Sequence, residues 1–442
     1  MVQIELITEL TKKSRDAQIS LLKFTDKEIA SLLENIAKKL LKTSTNKLLS
    51  EKAVLETKFG NVEDKIKKNS YKTKNLLKEL KKVKTITPIF NKKKKSYEIL
   101  KPIGLVCGVT PSTNPIATCL NYIINSLKTR NSIIICPNPR SYSISHELVY
   151  TIKNILLNNK FDPNLVNIVP REILRENGII DLFNLVDKSF VTGNKNIINK
   201  ARQSYKPVIT FGTGNVPIII SEDADLIFAS KSIIESKSFD NSTSCSADSV
   251  LIIHNNIYSK MIDKLKNSNL YLLNKEEKSK IDEMYFYKGI INHKLVGKNA
   301  NKILSYINPN NKKTNSKVIG YEIKKFDKNH FIFNEKLMPI IGLISYNKIE
   351  EAIEIAEKML SVNGLGHSLG IYSKNKKQIL QVSSKVKVSR IIVNQPHSQS
   401  AGGSKNNCLP TTLSLGCGPW AESTISHNLN YYDFCNVTKV VL

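Results

Sequence analysis

The chain predicts an α/β protein built as two doubly wound domains, and three observations carry that prediction. From Tyr97 onward, short apolar runs end in Gly, Pro or Asn clusters and lead into helical stretches; the pattern restarts near Leu226; buried parallel strands separated by helices read this way. The length, 442 residues, exceeds one ordinary core and suits about two or three domains. A hydrophobic content of 41% with only 7% aromatics fits a soluble α/β protein.

Residues 1–90 alternate apolar and Lys/Glu positions at helical spacing, as in Glu28-Ile29-Ala30-Ser31-Leu32-Leu33-Glu34-Asn35-Ile36-Ala37, and predict several amphipathic packing helices. Strands follow at 105–109, 132–136, 166–169, 189–192 and 208–211, making a nucleotide-binding sheet. The second unit carries Cys245, the apolar run Val250-Leu251-Ile252-Ile253, a polar insert of lower order around 265–320, a helix at 350–360 and a last strand Arg390-Ile391-Ile392-Val393-Asn394. A Gly/Ser/Asn-rich loop at 397–410 and a tail at 437–442 close the chain. The expected division is 1–228 for the N-terminal helices and cofactor domain, 229–407 for the cysteine domain, and 408–442 for a C-terminal return.

A net charge of +28 invites a nucleic-acid reading. Of the 66 basic residues only seven are Arg (15, 130, 140, 171, 175, 202 and 390), and the lysines are spread along the chain as solvated surface. Nucleic-acid readers cluster Arg for bidentate phosphate contacts and interleave aromatics, so the charge points to no nucleic-acid partner. Seven cysteines form no CxxC pair and follow no signal peptide, which predicts a reduced, cytoplasmic setting. The longest apolar stretches are broken by Gly and Pro and fall short of the ~20 residues a spanning helix needs, so no membrane partner is expected.

Cys245 stands in Phe239-Asp240-Asn241-Ser242-Thr243-Ser244-Cys245-Ser246-Ala247-Asp248-Ser249, directly before a strand. A cysteine at a loop-to-strand junction, ringed by hydroxyls instead of aliphatic packing, suits a nucleophile. The other six cysteines lie in apolar or C-terminal segments and read as packing. Thr192-Gly193-Asn194 follows a strand and precedes the helical stretch 195–204, so free backbone N–H groups there suit a pyrophosphate.

Seven segments occur in a telling order: Thr110-Pro111-Ser112-Thr113-Asn114-Pro115, Thr192-Gly193-Asn194, Phe211-Gly212-Thr213-Gly214-Asn215-Val216-Pro217, the Cys245 loop, Glu335-Lys336-Leu337-Met338-Pro339, Gly366-His367-Ser368, and Ser414-Leu415-Gly416-Cys417-Gly418-Pro419-Trp420. Together they resemble the coenzyme A-acylating branch of the aldehyde dehydrogenase superfamily, from about residue 15 to the C-terminus. The resemblance implies an aldehyde dehydrogenase-like fold, with the active site in the cleft between the two domains and a C-terminal strand that adds to a neighbouring subunit's sheet in a homodimer or homotetramer. It also implies the reaction: a small aldehyde, NAD or NADP, and coenzyme A as co-substrate give acyl-coenzyme A and reduced cofactor.

By this resemblance Cys245 is the thiolate that attacks the aldehyde, Asn114 or Thr113 donates to the developing oxyanion beside the Cys245 N–H, and His367 helps proton transfer at the acyl centre. An N-cap role for Asn114 and a backbone-capping role for His367 remain alternatives. Cofactor binding would involve Thr192, Gly193, Asn194, Gly212, Thr213, Gly214 and Glu335, the last at the nicotinamide ribose, with Pro139 and Arg140 at the adenosine half or at coenzyme A. Hydrolytic relatives carry a Glu in a Glu-Leu-Gly-Gly-Lys segment, where this chain has Phe211, and loss of that base favours a thiol over water as acyl acceptor. No metal site is expected, since His397 and His427 lack ligand spacing. Hydrolysis to a free acid, acyl-phosphate reduction, a silent relative and a basic nucleic-acid binder stay open as alternatives. The hydroxyl-rich Thr243-Ser244-Cys245-Ser246 segment tilts the substrate toward a small polar or anionic aldehyde such as sulfoacetaldehyde.

Overall fold

The computed structural model describes residues 2–175, 178–287, 290–292, 294–309 and 315–442. Four helices open the chain, α1 (Val2–Leu21), α2 (Asp26–Leu40), α3 (Thr43–Thr57) and α4 (Val62–Leu80), as the apolar spacing predicts. The α2 start is a capping box, with Thr25 and Glu28 satisfying each other's backbone N–H. After the hairpin β1 (Ile89–Asn91) and β2 (Ser96–Pro102), a five-stranded parallel sheet forms from β3 (Leu105–Thr110), β4 (Ser132–Pro137), β5 (Val166–Ile168), β6 (Lys188–Thr192) and β7 (Val208–Phe211). All five strands fall where the aliphatic runs place them. Their order in space is β5-β4-β3-β6-β7. The reversal between β3 and β6 creates a topological switch point, where ligands bind outside the carboxyl ends of parallel strands.

A seven-stranded parallel sheet follows, built from β8 (Val216–Ile220), β9 (Asp248–His254), β10 (Leu270–Leu272), β13 (Val318–Glu322), β14 (Ile340–Tyr346), β15 (Leu369–Tyr372) and β16 (Ile391–Val393); β11 (Phe286–Tyr287) and β12 (Ile290–Ile291) make a separate two-stranded pair. Its order is β10-β13-β14-β9-β8-β15-β16. The chain changes sheet at residues 212–215, ahead of the expected 228/229 division, because β8 pairs with β9 and β15 and not with β7. Within the polar insert, helix and strand occupy much of 265–320 rather than a lower-order run; residues 288–289, 293 and 310–314 lie outside the described residues.

Strands in both sheets are covered on both faces, which is why they read as unbroken aliphatic runs. In the first sheet Val106, Ile133 and Ile135 pack to one side and Leu105, Cys107 and Ile134 to the other. In the second, Ile219, Val250 and Ile252 face one core and Ile218, Leu251 and Ile253 face the opposite one. The final strand, β17 (Cys435–Val441), pairs antiparallel with β2 of its own chain over Cys435↔Pro102 to Val441↔Ser96. The expectation had it joining a neighbour's sheet; here β2 takes one edge, and β17 stands at the end of the order β1-β2-β17. Among the described residues, no helix is long and apolar enough to cross a membrane.

The two sheets place three chain reversals side by side: the β3 exit, the β7–β8 crossing, and the loop that enters β9. Helix α4 packs across them, against α5 (Pro115–Lys128) and against the short turn Phe239–Ser242.

Candidate active site

Cys245 follows three consecutive residues in the left-handed region, which Asp and Asn tolerate better than most but which rarely occur in a row. Asp240, Asn241 and Ser242 all hold positive φ (50°, 52° and 60°), and such conformations cost about 1–2 kcal/mol per L-residue unless the surroundings over-determine them. Here they do. The Asp240 carboxylate accepts from Lys65 Nζ (3.1 Å), Lys68 Nζ (2.5 Å), the Asn61 N–H (3.0 Å) and Thr243 Oγ1 (2.9 Å). The Asp240 N–H donates to Asp64 Oδ2 (2.8 Å), and Asn241 Nδ2 donates to the carbonyls of Gly60 and Gly297 (3.0 Å each). Burial alone would raise the Asp240 carboxyl, but Lys68 and Lys65 hold it below the usual carboxylate range. Gly60 must lack a side chain, since a Cβ there would stand 1.9 Å from Asp240 Oδ1.

Past that turn, Cys245 Sγ lies 3.3 Å from His367 Nε2, and His367 Nδ1 lies 2.8 Å from Ser368 Oγ. The buried Arg390 donates from Nη1 to the His367 carbonyl (2.7 Å) and from Nη2 to the carbonyls of Gly416 and Ser426, which fixes the turn that carries the imidazole just ahead of β15. Burial pushes the half-buried Cys245 thiol up to about 12, with the Glu335 carboxyl and Cys417 adding in the same direction and Arg390 opposing. Burial also drives His367 well below the ordinary imidazole range, followed by Arg390 and His397. A raised thiol thus lies beside a lowered imidazole, an arrangement in which the ring nitrogen can accept the thiol proton.

Gly214 shows how tightly the sheet crossing is fitted to this loop. A Cβ on it would meet the Cys245 carbonyl oxygen at 1.7 Å, and its N–H donates to Glu335 Oε1 at 3.0 Å. Glu335 is thereby held beside the nucleophile, and burial raises its carboxyl to about 7. Thr213 donates from Oγ1 to Asn363 Oδ1, and Gly212 passes Cys417. The run 212–214 thus lines the nucleophile loop itself. Phe211, at the end of β7, is a buried core residue.

The remaining expected residues fall in three places. Asn114 precedes α5 but makes no side-chain cap hydrogen bond; its Oδ1 accepts from Lys68 Nζ at 2.6 Å, and the Thr113 carbonyl accepts from Lys65 Nζ at 2.9 Å. Thr192, Gly193 and Asn194 lie farther along the switch point. The Thr192 hydroxyl is taken up by Tyr122 (2.7 Å) and Ser414 (3.3 Å), while the Asn194 side chain caps the helix Lys195–Arg202 by accepting from the Ile197 N–H (3.2 Å). What this segment offers a ligand is backbone N–H. Pro139 and Arg140 are exposed on the short turn after β4. Among the described residues, no three His, Cys, Asp or Glu side chains are grouped to hold a metal ion.

Sequence reading missed Lys65, Lys68 and Asp240. The lysines had been assigned to solvated surface and their helix to packing, yet Lys65, Lys68 and Lys72 are buried, with Asn69, Thr73, Leu76 and Leu80, on one stripe of α4. Their spacing, at three and four residues, was the available signal: a polar stripe at core positions. His397 was set aside for lack of metal spacing; it is buried and holds the Ser246 carbonyl through Nδ1 at 2.8 Å.

A cysteine–histidine pair at the meeting of two parallel sheets, one of them ending in a nucleotide-type switch point, defines an α/β oxidoreductase. A sequence model of the aldehyde dehydrogenase family matches residues 4–408, and the chain belongs to that family. Among its relatives, the sulfoacetaldehyde dehydrogenase (acylating) of Cupriavidus necator is 30% identical over 440 residues, covering 99% of this chain and 89% of its own. A sulfoacetaldehyde dehydrogenase of an Acholeplasma species is 32% identical over 442 residues, covering 98% and 90%. The crystal structure of an acetylating aldehyde dehydrogenase from Geobacillus thermoglucosidasius superposes with a TM-score of 0.93 at 29% identity, over 100% of this chain and 97% of that one.

Proposed function

We propose that this chain is a coenzyme A-acylating aldehyde dehydrogenase: aldehyde, NAD(P)+ and coenzyme A give acyl-coenzyme A, NAD(P)H and a proton. The observation that carries this reading is the Cys245–His367 contact of 3.3 Å, combined with a buried Phe211 where a hydrolytic relative presents its base. Cys245 Sγ bonds to the aldehyde carbon while its proton passes to His367 Nε2. The Asn114 amide and the Cys245 N–H donate to the oxygen, which becomes negative and then collapses back to a carbonyl. The backbone N–H groups of residues 193–194 and the Glu335 carboxyl would hold NAD(P)+, which would supply the two-electron oxidation as hydride acceptor. Glu335 suits that place, being a half-buried carboxyl with a hydrogen bond from Gly214. Having released its proton, His367 takes the one on the coenzyme A thiol, the new sulfur attacks the Cys245 thioester, and the Cys245 thiolate leaves and recovers that proton. Without a carboxylate at position 211, water has no equivalent activation.

A cavity opens beside the loop and reaches Ser244, though neither Cys245 nor His367 lines it. It measures about 1210 Å³ and is lined by Ser244 and five lysines, 67, 68, 72, 231 and 317, against the carboxylates of Glu63, Asp64 and Glu235. This balance supports a small anionic aldehyde of the sulfoacetaldehyde kind. The exposed Val440, Val441 and Leu442 on the end strand β17 support a homo-oligomer formed through that edge, which sedimentation would register.

Spectrophotometric NADH formation from a panel of short aldehydes tests the reading. Expected are strict dependence on coenzyme A, a higher kcat/KM for the sulfonated aldehyde than for unsubstituted alkanals that narrows with added salt, and a loss on the order of 10⁴-fold or more in Cys245→Ala. Undiminished NADH formation without coenzyme A would refute it.

A further inference from the structure

Asn114 and the Asp240 turn ahead of Cys245 are far apart in sequence, yet both contact one buried cation on α4. Lys68 Nζ stands 2.6 Å from Asn114 Oδ1 and 2.5 Å from Asp240 Oδ2, and 5.4 Å from the centre of the Phe239 ring. Its side chain is 5% exposed, and that of Asp240 is fully buried. An ammonium group carries three donors and no acceptor, so the Asn114 atom facing it must be the carbonyl oxygen. The amide is therefore locked in one of its two orientations, with Nδ2 on the side away from Lys68. That nitrogen has no hydrogen-bond partner among the described residues, and the usual alternative use of an asparagine at a helix start is absent, since no cap hydrogen bond forms. An amide oxygen held by a cation also polarises its own N–H groups toward stronger donation.

We infer that Lys68 is a positioning residue for the acylating reaction: it fixes the Asn114 amide so that Nδ2 faces the oxygen of the Cys245 adduct, and through Asp240 it ties that donor to the loop bearing the nucleophile. The inference rests on the acylating reading of the site. It assigns to the N-terminal helices a part in the chemistry. A lysine that only filled space between α4 and the Phe239–Ser242 turn would have no reason to reach Asn114 Oδ1 at the same time.

The test is a double-mutant cycle on Lys68 and Asn114, read by steady-state kinetics with coenzyme A present and by thermal melting. Lys68→Met should lower kcat roughly 10²-fold, the scale for losing one oxyanion donor, with KM little changed. Asn114→Ala should do the same, and the double variant should be no slower than Asn114→Ala alone. Multiplying effects, or a wild-type kcat in Lys68→Met, would overturn the inference. Should Lys68→Met fail to fold, Asn114→Asp carries the test, because a carboxylate keeps the contact with Lys68 but has no N–H to offer. It should melt like the wild type and lose kcat on the same scale, and Asn114→Asp with wild-type kcat would equally overturn the inference. Wild-type protein that makes no NADH from aldehyde and coenzyme A would sink the acylating reading itself, whereas an active wild type with additive variants would sink this inference alone.

Discussion

The Cys245 loop and the switch-point turn are built in opposite ways. At residues 193–197 the groups that suit a phosphate are backbone amides, organised locally by a strand end, a glycine and the Asn194 cap on Ile197 N–H. At residues 240–246 the arrangement is non-local: three left-handed residues are held by Lys65 and Lys68 from a helix about 175 residues earlier, and the sulfur meets an imidazole 122 residues later. Local rules suffice for binding a diffuse charge. Aiming one sulfur and one amide at the same oxygen requires parts from several elements.

That contrast predicts unequal responses to substitution. The largest should come from Asp240→Ala, which leaves Lys65 and Lys68 buried without their partner. Loss of one member of a buried ion pair costs about 3–5 kcal/mol, and acylation should fall together with the denaturation midpoint. An Asp240→Ala protein as stable as the wild type would show that the left-handed turn needs no clamp, and the comparison would break.

Glu335→Gln should give the next effect, and it carries a sign. The folded carboxyl is raised to about 7 from 4.5, so the stability it contributes is present below pH 4.5 and lost as pH rises through 7. A glutamine can still accept from the Gly214 N–H but never ionises. Thermal melts should therefore show a gain for the variant at pH 8 relative to pH 5, on the order of 2–3 kcal/mol. Equal shifts at both pH values would remove burial of the charge as the cause.

The smallest effect belongs to the locally built end. Asn194→Ala removes a helix cap worth about 1 kcal/mol and should raise KM for the nicotinamide cofactor with little change in kcat. A fall in kcat comparable to that of the nucleophile-loop variants would place residue 194 in the chemistry and erase the distinction.

The same contrast explains what was legible in the sequence. All five strands of the first sheet, the helix at 195–202 and the four opening helices follow from local periodicity and breakers, so the sequence reading found them. The exit of the chain into the second sheet was placed too late, because Val216–Ile220 is aliphatic on both faces and pairing partners leave no local mark. Cys245 announced itself through its hydroxyl neighbours, and His367 through a motif. Lys65 and Lys68 left only a faint mark, a three- and four-residue spacing in phase with Leu76 and Leu80 that many other lysines of the helix obscure, and their burial depends on Asp240, which lies far away in sequence.

A sulfur whose proton is held at rest has a consequence beyond turnover. Peroxide attacks the charged form of a cysteine far faster than the protonated form, and the thiol of Cys245 is pushed up to about 12. Inactivation of the free protein by hydrogen peroxide should therefore be slow at neutral pH and speed up as pH rises toward 12, and a rate independent of pH would argue against it. Burial that keeps the Cys245 thiol protonated at neutral pH would thus also slow its oxidation.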